Sequence, residues 1–220
     1  MIKDQPNKMA RSLFNPYLAR LLKKNFNDFI LIDDFPVLDP GRSYLITPNH
    51  FCWWDGFFVD FVLRKVSGHQ IKIMMLEEQL KKYWFFRFLG AFSIDQNRIT
   101  EISSSINYSR KLLQKKNNAV VVYPQAKLQK LIPENLELKK GILNIVKNLD
   151  TAVIPLSFKI EYDEMPKPAV YCKAGKILES KLIETDFNHF KNAFMDNLGL
   201  LLSFDHRTDQ NTKKKSLFND

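Results

Sequence analysis

From residue 43 onward the apolar positions alternate between two kinds of run. Short continuous apolar stretches, SYLIT (43–47), IKIMML (71–76), AFSI (91–94), NAVVVY (118–123), AVIPLSF (152–158) and AVYCKAG (169–175), predict buried strands. Between them lie stretches whose apolar residues recur every three or four positions: DGFFVDFVLRKV (55–66), EEQLKKYWFFRFLG (77–90), ITEISSSINYSRKLLQKK (99–116), LELKKGILNIVKNL (136–149) and a last one near 184–204. These predict helices, with a loop over 124–133. Strands that alternate with helices predict an α/β fold: a layered, mostly parallel sheet flanked by helices and joined by right-handed crossovers.

Upstream, residues 8–24 place Leu13, Phe14, Tyr17, Leu18, Leu21 and Leu22 on one helical stripe flanked by Arg11, Arg20, Lys23 and Lys24. This is an amphipathic basic helix, suited either to packing on the domain or to docking on a membrane surface. Pro16 fits it only in the first turn or at a kink. The expected organisation is an N-terminal amphipathic helical segment over 1–35, a layered domain over 36–206, and a mobile basic tail over 207–220 that contains Lys213–Lys215.

Composition narrows the class. With 45% hydrophobic and 26% charged residues in 220, the chain is globular rather than disordered, and long enough for a sizeable core. Cys52 and Cys172 lie in apolar runs without paired spacing, so neither a disulfide framework nor a metal site is expected, and a reducing compartment fits. The N-terminus lacks the apolar core of a secretory signal, and no stretch is apolar for long enough to span a membrane. A net charge of +9 favours polyanions: nucleic acid, an anionic membrane face or phosphorylated ligands. The 18 phenylalanines, clustered in WWDGFFVDF and KKYWFFRFLGAF, tilt that choice toward a lipid interface, although the core also claims such residues.

The candidate chemistry lies in TPNHFCWWDGFF (47–58), where a predicted strand ends and a helix begins. Ligands of open α/β sheets meet side chains at such strand ends. His50 in the loop and Asp55 in the first helical turn can face each other, although residues five apart on one continuous helix could not. The helix N-terminus favours the negative charge of Asp55, and a carboxylate beside imidazole fixes its tautomer. His50 then suits general-base work, activating a hydroxyl for direct attack on an activated carbonyl.

The string T-P-N-H-F-C-W-W-D resembles the N-H-x4-D signature of the glycerolipid acyltransferases, the 1-acylglycerol-phosphate or lysophospholipid acyltransferase family. Three further blocks follow in that family's order: G-A-F-S-I-D-Q-N-R (90–98), V-V-Y-P-Q-A-K (121–127) and A-V-I-P-L-S-F (152–158), so the resemblance covers about residues 40–180. It implies transfer of a fatty acyl group from acyl-CoA or acyl carrier protein to a hydroxyl of a lysophospholipid or glycerol-phosphate-type lipid. His50 and Asp55 become the catalytic pair, Asn49, Gln96, Arg98, Gln125 and Lys127 the substrate-binding residues, with no metal and no bound cofactor. Together with the basic charge, the aromatic clusters and the lack of a spanning stretch, the expected location is peripheral, on the cytoplasmic face of a membrane.

Two blocks depart from the family pattern. Where the family has an arginine after I-D, this chain has Gln96, and the nearest cation is Arg98. In place of F-P-E-G stand Tyr123, Pro124, Gln125 and Ala126, followed by Lys127. An amide grips phosphate less well than a guanidinium fork, so a second expectation stands beside the first: an acceptor without phosphate, such as a glycosylated or aryl pigment lipid or an amino-acid lipid. A nucleic-acid binder is disfavoured because the basic residues scatter without a stacking platform. A hydrolase is disfavoured by the lack of a G-x-S-x-G nucleophile or a metal-ligand cluster.

Overall fold

The computed structural model describes residues 1–219. One sheet holds all the strands, in the order β4-β3-β5-β2-β6-β7-β1-β9, with β8 beside β6. The strands are β1 (Phe29–Ile32), β2 (Tyr44–Pro48), β3 (Gln70–Leu76), β4 (Ala91–Ile94), β5 (Asn118–Val121), β6 (Ala152–Glu161), β7 (Ala169–Ala174), β8 (Leu178–Glu179) and β9 (Lys214–Ser216). Pairing from β4 across to β6 is parallel, whereas β7, β8 and β9 meet their neighbours β6, β6 and β1 antiparallel. The expected α/β class and mostly parallel sheet are what the chain forms.

Helices cover both faces: α1 (Lys8–Asn25), α2 (Asp55–Val66), α3 (Glu77–Lys82), α4 (Ile99–Leu113), α5 (Gly141–Val146), α6 (Ser180–Thr185) and α7 (Phe187–Ser203). One core layer joins α1 and α2 to the sheet through Leu18, Leu22, Phe58 and Phe158. The other joins α4, α5 and α7 through Leu112, Ile145, Phe190 and Phe194. The strands between these layers are apolar on both faces, which is why they read as continuous apolar runs.

The expected division at residue 35 does not follow the sheet. Residues 29–32, assigned to the N-terminal segment, form β1, which pairs in parallel with β7 from Phe29↔Val170 to Ile32↔Lys173. Within the stretch expected to be a mobile basic tail, the described residues return to the sheet: Ile30 pairs with Ser216, Leu217 is buried, and Phe218 packs on Phe29 and Phe61. The apolar pair Leu217-Phe218 after the lysine run supplies the burial that anchors β9.

Two predicted helices are shorter than their periodicity suggests. Over 77–90 the α-helix stops at Lys82 and a 3₁₀ turn, Trp84–Leu89, continues to Gly90. Gly90 has φ +96, and a Cβ there would collide with the Ile71 carbonyl oxygen, so only glycine permits the return into β4. Over 136–149 only Gly141–Val146 is helical. In α1, Pro16 falls past the first turn, and both it and Ser12 lie on the exposed side, where water can serve the carbonyl left without a donor.

Candidate active site

β2, β3, β4 and β5 all end on the same side of the sheet, and the loops that leave them form the rim of one cavity. It encloses about 490 Å³ and runs between α2 and the β3–β4 pair, beneath α1 and the 3₁₀ turn. His50, Gln96, Tyr123, Ala126 and Lys127 lie at the rim; Phe14, Phe57, Ile73, Phe86, Leu89 and Ala91 line the depth. Asp60 belongs to the wall as well, its carboxylate engaged by Arg11 at 2.6 Å and Arg64 at 2.9 Å. The lining is predominantly apolar, as in sites that take hydrocarbon groups.

His50 leaves the end of β2, and Asp55 opens α2. Between them the chain turns so that Asp55 Oδ2 accepts from His50 Nδ1 at 2.8 Å and from the backbone N–H groups of Phe51 at 2.8 Å and Cys52 at 3.0 Å. The Cys52 thiol donates to Oδ1 at 3.1 Å. Burial, reinforced by the Asp55 charge, pushes that thiol well up, so it stays a donor. Asp55 is 1% exposed, while the His50 side chain keeps 27% of its surface open. With a carboxylate opposite Nδ1, that nitrogen carries the proton and Nε2 is left to accept one.

The Tyr123 ring lies against the His50 ring, tilted, with centroids 4.3 Å apart and 31° between planes. Its hydroxyl is buried and has no hydrogen-bond partner among the described residues. Burial, then Asp55 and Cys52, raises the phenol well above its ordinary value and keeps it neutral. Tyr123 and Cys52 both lie within the motif blocks, but the sequence assigned neither of them a role in the site.

Two expected substrate-binding residues face inward instead. Asn49 is fully buried and bridges to β6, its amide donating to the Phe158 carbonyl at 2.9 Å while its oxygen accepts the Phe158 N–H at 2.7 Å. Gln125 is equally buried: Oε1 accepts the His50 N–H at 2.6 Å and Nε2 donates to the His50 carbonyl at 3.2 Å. Both amides are matched to peptide groups, which leaves neither facing a ligand in this arrangement.

Of the remaining three, Gln96 and Lys127 stand at the rim and Arg98 outside it. Gln96 donates to the Ala126 carbonyl at 2.8 Å, which ties the loop after β4 to the loop after β5. Ala126 has φ +60, so the position that the family pattern gives to glycine does adopt the left-handed conformation here. Arg98 is 55% exposed, lies outside the cavity lining, and pairs with Asp95 at 2.7 Å. That guanidinium holds the Asp95 carboxyl below the usual range. Lys127 is exposed at the rim and is the cation of the cavity lining among the described residues. No cluster of metal-ligating side chains occurs among the described residues.

A family model described as Acyltransferase matches residues 30–159, a span that contains the dyad, both rim loops and every cavity-lining residue except Phe14. The chain belongs to the acyltransferase family. Its fold is similar to the crystal structure of the 1-acyl-sn-glycerophosphate (LPA) acyltransferase PlsC from Thermotoga maritima, with a TM-score of 0.59 at 13% identity, covering 89% of this chain and 84% of that one. No curated protein matches its sequence significantly. In this acyltransferase the match begins at residue 30, inside β1, in keeping with that strand's place in the sheet rather than in a separate N-terminal segment.

Proposed function

We propose that this acyltransferase moves a fatty acyl group from acyl-CoA or an acyl carrier protein to a hydroxyl of a lysophospholipid or glycerol-phosphate-type lipid, with His50 as general base and Asp55 as its partner. The observation that carries the reading is the His50–Asp55 pair at the mouth of a deep apolar cavity. The acyl chain fills the cavity and brings its thioester carbonyl to the rim. Nε2 of His50 takes the proton from the acceptor hydroxyl as its oxygen attacks that carbonyl. The tetrahedral intermediate collapses, the C–S bond breaks, and the leaving thiolate receives the proton from His50. Asp55 holds the ring and stabilises the transient imidazolium.

A membrane surface supplies the acceptor in this reading. Met9, Leu13 and Tyr17 remain 74%, 72% and 57% exposed, one helical turn apart on α1. From Tyr17 a chain of ring contacts runs through Phe14 and Phe57 to Trp53, three residues of which line the cavity. The exposed stripe therefore continues into the acyl site, and we place the enzyme peripherally on the cytoplasmic face. No helix among the described residues is long and apolar enough to cross a membrane.

The second reading, an acceptor without phosphate, is favoured by the engagement of Arg98 with Asp95 and of Gln96 with Ala126. An exposed ion pair is weak, so a phosphate could take Arg98 from Asp95. Purified protein given acyl-CoA or acyl carrier protein with a panel of lysophospholipid and non-phosphate acceptors separates the two. His50→Ala should lose about 100- to 10,000-fold in kcat while remaining folded. With a phosphorylated acceptor, Arg98→Ala should cost about 10- to 100-fold in kcat/KM; with an unphosphorylated one it should cost little. Near-native turnover by folded His50→Ala would remove the base from the mechanism.

A further inference from the structure

Gln125 occupies the place where the family pattern has glutamate, and its amide meets the peptide of His50 at both ends. We propose that Gln125 is a positioning residue for the base, and that the clamp requires an uncharged group offering one acceptor and one donor. The inference rests on the proposed role of His50. The backbone of one residue presents one N–H and one C=O, from the peptide groups on either side of its α-carbon, which a side-chain amide complements in a single orientation. The His50 carbonyl also receives the Gln129 N–H at 2.9 Å, so it retains a partner without Gln125. Among the described residues the His50 N–H meets the Gln125 oxygen, and that bond fixes the backbone from which the imidazole projects.

A carboxylate at 125 would present two acceptors, and one of them would face the His50 carbonyl. A protonated carboxyl restores one acceptor and one donor. The Gln125→Glu substitution therefore turns a permanent clamp into a titrating one. The charged and titratable groups nearby are His50 and Asp55 from the turn before α2, Tyr123 and Lys127 from the same loop, and Glu137 and Lys139, which pair with each other where that loop folds back. Burial disfavours the ionised carboxyl and raises its pKa. Below that pKa the variant holds His50 as the wild type does; above it the clamp breaks. The wild-type amide does not titrate, so its clamp holds across the same range.

The test measures kcat and KM against pH, between about pH 5 and 9, for wild type, Gln125→Glu and Gln125→Met. Gln125→Glu should match wild type on the acid side and fall about 10- to 100-fold in kcat on the alkaline side, with KM for the acyl donor little changed. Gln125→Met, with similar length and no hydrogen bonds, should be low in kcat throughout. A Gln125→Glu profile that superposes on wild type, or a folded Gln125→Met within about twofold of wild-type kcat, overturns the proposal. Should Gln125→Met fail to fold, Gln125→Glu decides alone, because its protonated form makes both bonds. NMR of the His50 amide and ring nitrogens tests the clamp without turnover: in Gln125→Glu they should shift in a second titration step that wild type lacks. If wild type transfers no acyl group, the enzymatic reading has failed, and a missing second step would show that the clamp has failed too.

Discussion

Asp55 is held by donors from its own turn, and Tyr123 lies against the His50 ring, so both members of the dyad are positioned by protein groups. Two neighbours carry features that substitution can relieve. The Tyr123 hydroxyl is buried without a partner, so Tyr123→Phe should keep the ring on His50 and leave stability unchanged or raise it by up to about 1 kcal/mol, read as a denaturant midpoint. Ala126 holds φ +60, a conformation that costs an L-residue about 1 to 2 kcal/mol, so Ala126→Gly should recover part of that in thermal melts. At this scale the pair His50 and Asp55 was legible because a strand end and a helix start lie five residues apart. Asn49 and Gln125 were recognisable as motif positions, but their roles were not legible. Each meets the peptide groups of a residue distant in sequence, 109 positions away for Asn49 and 75 for Gln125, a pairing that only the sheet creates.

Among the elements, α1 divides its apolar stripe between a buried and an exposed part. Leu18 and Leu22 are fully buried in the core, while Leu13 and Tyr17 face out. Leu13→Ser with Tyr17→Ser should therefore reduce sedimentation with anionic vesicles and leave the melting temperature close to wild type; a large drop in stability would mean that the stripe packs on protein. Arg11 ties α1 to Asp60 of α2 and to the Leu89 carbonyl. Arg11→Met should cost about 1.5 to 3 kcal/mol, measured by urea unfolding, because Arg64 still serves the Asp60 carboxylate. The long alternating elements were readable from their periods. β1 was not: four apolar residues, FILI, followed by a polar loop carry too little pattern to be told from a helix end, and only the partner strand β7 specifies them. The 3₁₀ turn before Gly90 was hidden for the opposite reason, since its aromatics match a helical period while the backbone constraint sits at one glycine.

For the whole molecule, the sheet order was beyond reach of a local pattern, because β1 lies between β7 and β9 and every one of its pairings is long-range. Deleting residues 213–220 should uncover Phe29 and Phe61, expose the edge of β1, and lower the melting temperature by several degrees, about 2 to 4 °C for each kcal/mol lost. The placement of β1 also sets a timetable for biosynthesis. A ribosome makes β1 early, yet both of its neighbours come late, so an apolar strand with two open edges must wait while most of the chain is translated. Non-local pairing of this kind slows folding and leaves nascent chains prone to edge-to-edge association. Translation stalled before residue 169 should therefore yield chains that need a holdase chaperone to stay dispersed, and release past β9 should end that dependence.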